Sequence, residues 1–131
     1  MKIALGLGCD RGTSTETLRT ALLAALTLGQ AELSDIVAVA SIDLKADEPA
    51  LHDLAREFGW TIRFYPAAEL ATVDVPHPSE TVRRHTGTPS VSEAAAILVG
   101  NTDRHHLIVE KHRHCGHDGR NTTVSIARIS S

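Results

Sequence analysis

Apolar residues follow two rhythms along this chain, and the alternation between them predicts the fold. Residues 2–8 and 36–42 are apolar at nearly every position, as expected of strands covered on both faces of a sheet, and 61–65 reads as a short third strand. Between the first two runs, Leu18, Ala21, Leu22, Ala25 and Leu26 fall on one face of a helix predicted over 14–28, with Gly29 as its stop. Leu51, Leu54, Ala55 and Phe58 mark a second helix that has Pro49 in its first turn and ends at Gly59. Residues 66–70 read as a helical turn, 72–78 as a loop with two prolines, and a short helix including Val82 follows Ser79. A further helix opens at Ser90, passes through Val91, Ala94, Ala95 and Leu98, and closes at Gly100-Asn101. Strands at 106–111 and 122–129, joined by the glycine-bearing segment 115–121, predict an antiparallel hairpin. The order β-α-β-α-β, helices, hairpin predicts a single α/β domain over residues 1–131. It has three α/β/α layers and a mixed sheet of about five strands.

Two helix starts carry a capping-box spacing, Thr13 with Glu16 and Ser90 with Glu93, which places caps at Thr13 and Ser90.

Composition narrows the classes. A chain of 131 residues with 42% hydrophobic content suits one ordinary core, and 3% aromatics make that core aliphatic and alanine-rich. No apolar run approaches the ~20 residues of a membrane span, and the N-terminus enters strand-like sequence without a signal pattern. No membrane partner is therefore expected. Two cysteines, Cys9 and Cys115, make no disulfide framework, which predicts a reducing cytoplasm. A net charge of −3 offers no electrostatic case for nucleic acid, so an anionic ligand requires positive charges gathered locally.

Three loops could gather them. The first, Gly6-Leu-Gly-Cys-Asp-Arg-Gly-Thr13, joins a strand to a helix whose free N–H groups favour an anion. Gly8 and Gly12 open the backbone, Thr13 adds a hydroxyl and Arg11 a cation. Its spacing is one residue longer than the dinucleotide fingerprint, and no Walker lysine follows, which weakens a nucleotide role. A glycine turn needed for geometry alone is the plain alternative. Cys9 faces the helix dipole and Arg11, which could lower a thiol pKa, but a small buried hydrophobe is the simpler role. The second loop, 41–48, offers Lys45 for an anion, while Asp43 and Glu48 could cap, pair with Lys45 or act as acid and base. Capping is preferred for Glu48. The third, 85–93, supplies Gly87, Thr88, Ser90 and Glu93, with Arg83 and Arg84 just ahead. Lys111 joins this set only if its strand runs in the same direction as the first. His105, His106, His112, His114, Cys115 and His117 invite a zinc reading, but they form no spaced ligand pair facing a second pair. A polar hairpin without metal, and no cofactor, is the expectation.

With those residues laid out, the chain resembles the CobE family, equivalent to the C-terminal domain of CbiG, of cobalamin biosynthesis. The motifs are Gly6–Thr13, Ala40-Ser-Ile-Asp-Leu-Lys45 with Glu48, Gly87-Thr-Pro-Ser-Val-Ser-Glu-Ala-Ala95, Lys111, and Thr123-Val-Ser-Ile-Ala-Arg128, and they cover essentially the whole chain. Asp10 stands where a second basic residue is expected, and the histidine-rich hairpin departs from the pattern. The resemblance implies a cytoplasmic protein of corrin-ring assembly with an α/β/α fold. CbiG-type proteins open a lactone on a cobalt-precorrin and release acetaldehyde. A stand-alone chain resembles the aerobic-pathway version, so catalysis is left open. The implied partners are a corrinoid or precorrin intermediate and other enzymes of the corrin pathway. Gly8, Arg11, Gly12, Thr13, Lys45, Thr88, Ser90 and Lys111 would hold the macrocycle's carboxylates. Were the protein an enzyme, Asp43, Glu48 or Glu93 would serve as acid or base, with Lys45 stabilising negative charge.

Overall fold

The computed structural model describes residues 1–129. Five strands form one sheet: β1 (Ile3–Cys9), β2 (Ile36–Ile42), β3 (Ile62–Tyr65), β4 (Leu107–Cys115) and β5 (Asn121–Arg128), in the order β3-β2-β1-β5-β4. The first three are mutually parallel, and β5 is antiparallel to both β1 and β4. β4 therefore runs in the direction of β1, and its carboxyl end lies at the same edge of the sheet. The helices are α1 (Thr15–Leu28), α2 (Pro49–Phe58), α3 (Ala67–Leu70), α4 (Glu80–Thr86) and α5 (Val91–Val99). The mixed five-strand sheet of a single α/β domain is as the apolar pattern predicts.

Alternation along β1 decides the layers. Ile3, Leu5 and Leu7 point to one face, where they pack with Leu18, Leu22, Leu51 and Leu54 of α1 and α2. Each such side chain, taken fully from water, contributes roughly 1.5–3 kcal/mol. Ala4, Gly6 and Gly8 point to the other face, beneath α5. A Cβ on Gly6 would overlap the Ser92 carbonyl oxygen and stand 2.6 Å from the Ala96 nitrogen, so the small side chains set how closely α5 rides on the sheet. Ala40, Ile42, Tyr65 and Leu70 close the core on that side with Ala94 and Ala95.

Three local expectations are corrected. The α1 cap is Ser14, whose hydroxyl accepts the Thr17 N–H at 3.1 Å, because the Thr13 hydroxyl is turned to the Asp10 carbonyl at 2.6 Å. Ser90 precedes α5 but makes no side-chain capping bond, and Glu93 accepts the His77 N–H at 3.2 Å, so that capping box does not form. β4 continues four residues past Lys111. Between Val109, opposite Ile126, and His112, opposite Val124, it carries one residue more than β5, a bulge at Glu110-Lys111. Among the described residues no helix is long and apolar enough to cross a membrane.

Candidate functional site

The loops after β1 and β2 meet directly. Arg11 Nη1 donates to Asp47 Oδ1 at 2.6 Å and to Glu48 Oε2 at 3.3 Å, and Arg11 Nη2 donates to the Leu44 carbonyl. Glu48 Oε1 accepts the Gly12 N–H at 3.0 Å. Glu48 is only 3% exposed, and it occupies the backbone donor that the first loop was expected to offer a ligand. Gly12 has φ +76°, a left-handed conformation that glycine adopts without strain and that turns its N–H toward Glu48. Arg11 is thus not the free cation that its place in the first loop suggests: it is held by the protein's own carboxylates. Glu48 makes no cap bond to α2, so its structural role is a tie between two loops rather than the cap that was preferred.

Cys9 is half-buried against the α1 side of the core, and burial pushes its thiol pKa up to about 11. Lys45 lies near enough to oppose that rise, while Glu48 and Asp10 add to it. The neutral thiol fits the hydrophobic role and not that of an activated nucleophile. Lys45 is half-buried and forms no ion pair among the described residues, since Asp47 and Glu48 are both engaged by Arg11. Asp43 is exposed beside it.

The third loop reaches the same edge through α5. Val91 lies 3.7 Å from where a Gly8 Cβ would stand, with the Thr123 hydroxyl at 2.6 Å, so the start of α5 sits on the end of β1. Thr88, Ser90 and Glu93 are buried there, and Thr88 Oγ1, Ser90 Oγ and Glu93 Oε2 have no hydrogen-bond partner. Gly87, at φ +84°, terminates α4 against Ala67. Lys111 sits mid-strand rather than at the edge. Its Nζ donates to the His77 carbonyl at 3.2 Å, and burial lowers its pKa against the opposing pull of Glu93.

A fourth element was not expected. Asp10 accepts the Asn121 N–H at 2.8 Å and its Nδ2 at 3.3 Å, and Asp118 accepts the Ser14 N–H at 2.9 Å, which pins the β4–β5 hairpin onto the first loop. Those backbone bonds, from Ser14 and Arg120, hold the Asp118 carboxyl down to about 2. Arg120 brings its guanidinium over Gly12, 3.8 Å from where a Cβ on that glycine would stand. Nothing local in the sequence marks these residues as neighbours of Gly12; the strand order makes them so. The hairpin and the start of α1 enclose a cavity of about 490 Å³ lined by Ser14, Glu16, Thr17, His114 and Asp118, among others. A second, of about 440 Å³, lies between α2 and β3 around Trp60. Neither contains the ligand-binding candidates of the three loops, although His114, Cys115 and His117 of the histidine-rich hairpin line the first. Among the described residues no group of three or more histidine, cysteine or acidic side chains is placed to hold a metal.

The fold and loops describe an α/β domain with polar strand-to-helix turns and a hairpin along the carboxyl edge of its sheet. Residues 3–127 match the family model described as "Cobalamin synthesis G C-terminus", and the chain belongs to that family of cobalamin biosynthesis proteins. It is 39% identical over 111 residues to "Protein CobE" of a Sinorhizobium species, covering 83% of this chain and 71% of that protein. It is 35% identical over 127 residues to "Cobalt-precorrin-5A hydrolase" of Priestia megaterium, covering 97% of this chain but only 32% of the hydrolase. Among solved structures, CobE, a protein from the cobalamin (vitamin B12) biosynthetic pathway, superposes with a TM-score of 0.78 at 31% identity, covering 99% of this chain and 93% of that one. The cobalamin biosynthesis protein chiG from Agrobacterium tumefaciens gives 0.69 at 26% identity, covering 98% and 99%.

Proposed function

We propose that this domain binds a corrinoid or precorrin intermediate by the carboxylates at the rim of its macrocycle, and acts as a carrier or accessory factor that passes it between enzymes of the corrin pathway. The observation that carries the proposal is the juxtaposition at one sheet edge of Lys45, without an ion pair, the carboxyl end of β1 and the start of α5. A flat ligand fringed with carboxylates matches such an edge, because charge-assisted bonds to its rim need no deep slot. Two unpaired cysteines suit a reducing cytoplasm as the compartment. Hydrolysis is the second reading, favoured by the likeness to a cobalt-precorrin-5A hydrolase. The geometry supports binding better, since Glu48 is engaged by Gly12 and Arg11 and Cys9 is a neutral thiol.

The test is a titration of purified protein with hydrogenobyrinic acid, following the macrocycle absorbance at several salt concentrations. A saturable change at micromolar protein, weakened by salt and by Lys45→Ala, is expected; no saturable change overturns the proposal. Single-turnover assays on precorrin intermediates separate the hydrolase reading, which requires conversion that Asp43→Asn or Glu93→Gln abolishes.

A further inference from the structure

Arg11 is engaged by Asp47 and Glu48, yet the first loop does not lack a free cation. Arg120, from the hairpin, stands over it. Its Nη2 and Nε lie 3.8 and 3.9 Å from where a Cβ on Gly12 would stand, so the guanidinium rests on bare backbone. The arginine–carboxylate pairs of the described residues engage Arg11, Arg19, Arg56, Arg83 and Arg104, and not Arg120.

The Arg120 side chain is exposed, but its backbone is fixed on both sides. Its N–H donates to Asp118 Oδ1 at 2.9 Å, and its carbonyl accepts the Gly116 N–H at 3.0 Å. The next residue, Asn121, is tied to Asp10 three times. Its N–H donates to Asp10 Oδ2 at 2.8 Å, its Nδ2 donates to the same oxygen at 3.3 Å, and its carbonyl accepts the Asp10 N–H at 2.9 Å. Asp118 and Asp10, the carboxylates beside Arg120, thus accept from backbone donors and leave the guanidinium unpaired. A cation on an anchored backbone loses less freedom when it binds than one on a loose loop.

Strand order sets its distance from Lys45. Lys45 follows β2, Arg120 precedes β5, and β1 lies between those strands. Neighbouring strands are about 4.8 Å apart, so the two cations flank the carboxyl end of β1 with backbones on the order of 10 Å apart. A guanidinium offers a carboxylate two parallel N–H groups, whereas an ammonium acts as a point charge. One carboxylate does not meet both. A rigid ligand with several carboxylates on its rim does, and its second contact forms at high effective concentration.

We infer that Arg120 is a second carboxylate anchor of the corrinoid site, opposite Lys45 across the end of β1, and that Asp10 positions it through Asn121. The inference rests on the function proposed above and adds a requirement on the ligand: two rim carboxylates on separate arms.

Absorbance titration with hydrogenobyrinic acid tests it. Arg120→Gln is expected to weaken binding about tenfold and to leave the thermal midpoint within about 2 °C, since the guanidinium has no partner to lose. Arg113→Gln is the control for net charge. Arg113 is exposed on the same hairpin but pairs with Thr123, on the opposite face of the sheet from Thr122, and its loss is expected to change binding by less than about twofold. Asp10→Ser removes a negative charge, which by net charge alone would tighten an anion. It frees Asn121, however, and is expected to weaken binding several-fold when assayed well below its thermal midpoint. Asp10→Asn keeps an acceptor for the Asn121 N–H and is expected to bind at least as tightly as the wild type. If Arg120→Gln stays within about twofold while Lys45→Ala weakens binding, the second anchor is refuted and the carboxylate-binding function stands. Equal losses from Arg120→Gln and Arg113→Gln assign the effect to net charge and also refute it. Wild-type affinity in Asp10→Ser refutes the positioning role. Failure of the wild-type protein to saturate overturns both proposals.

Discussion

Replacing Glu48 tests whether the first two loops are held as a unit by a carboxylate in the place of a ligand. Oε1 accepts the Gly12 N–H at 3.0 Å and Oε2 accepts Arg11 Nη1 at 3.3 Å, from a side chain that is almost wholly buried. Glu48→Ala removes a hydrogen bond to a charged group, worth about 1.5–3 kcal/mol, and leaves the Gly12 N–H without its acceptor. A total loss of about 2–3 kcal/mol follows. For a domain of 131 residues, 1 kcal/mol corresponds to about 4 °C in Tm, so the expected fall is about 7–11 °C. Glu48→Gln keeps an oxygen for Gly12 and is expected to cost about 1 kcal/mol or less. Arg11→Ala is expected to cost much less than Glu48→Ala, because its side chain is 57% exposed and its Asp47 partner more exposed still. The assay is thermal unfolding followed by far-ultraviolet circular dichroism at neutral pH and two salt concentrations. Only the Arg11→Ala loss should shrink with salt. If Glu48→Ala unfolds within about 2 °C of the wild type, or Glu48→Gln is as damaging as Glu48→Ala, the tie between the loops is refuted.

Gly6→Ala places a methyl group on the Ser92 carbonyl and is expected to cost more than about 3 kcal/mol in urea denaturation, whereas Gly119→Ala, in open space at φ +75°, costs only about 1 kcal/mol of backbone strain. Equal losses would show that α5 does not rest on β1 as described. Iodoacetamide at pH 7.5 is expected to alkylate exposed Cys115 well before Cys9, whose thiol stays protonated; equal rates in the native protein, by peptide mass mapping, contradict the burial of Cys9. Asp118 has its folded pKa depressed to about 2 from 3.8, so its contribution is complete above the unfolded value and fades as pH falls from about 4 to about 2. Asp118→Asn should therefore flatten the acid limb of the urea midpoint over that window, and parallel wild-type and variant curves would refute the bonds to Ser14 and Arg120.

What the sequence determined by itself is the set of elements and their layering. Continuous apolar runs at 2–8 and 36–42 and the helical face from Leu18 to Leu26 left few ways to bury those side chains, and helical crossovers favour parallel neighbours while a short connection favours a terminal hairpin. The glycines of the first loop were expected to leave the backbone open to a ligand, but at Gly6 and Gly8 another part of the chain packs against it. Which backbone approached them was decided elsewhere, by α5, more than eighty residues along the chain. Local capping rules misled at Thr13 and Ser90 because a nearer acceptor, the Asp10 carbonyl, took one hydroxyl and the other is buried without a partner. The first loop changed most. Its glycines, helix start and arginine are local facts, but the occupancy of a donor depends on what else is folded against it. Glu48 came across from the next loop to take the Gly12 N–H and Arg11, and the hairpin came from the far end of the chain to pin Asp10. Hydrogen-bond partners at long sequence separation are set by strand order, and only the tertiary structure fixes strand order. It therefore left Lys45, rather than Arg11, as the half-buried cation without an ion pair at the sheet edge.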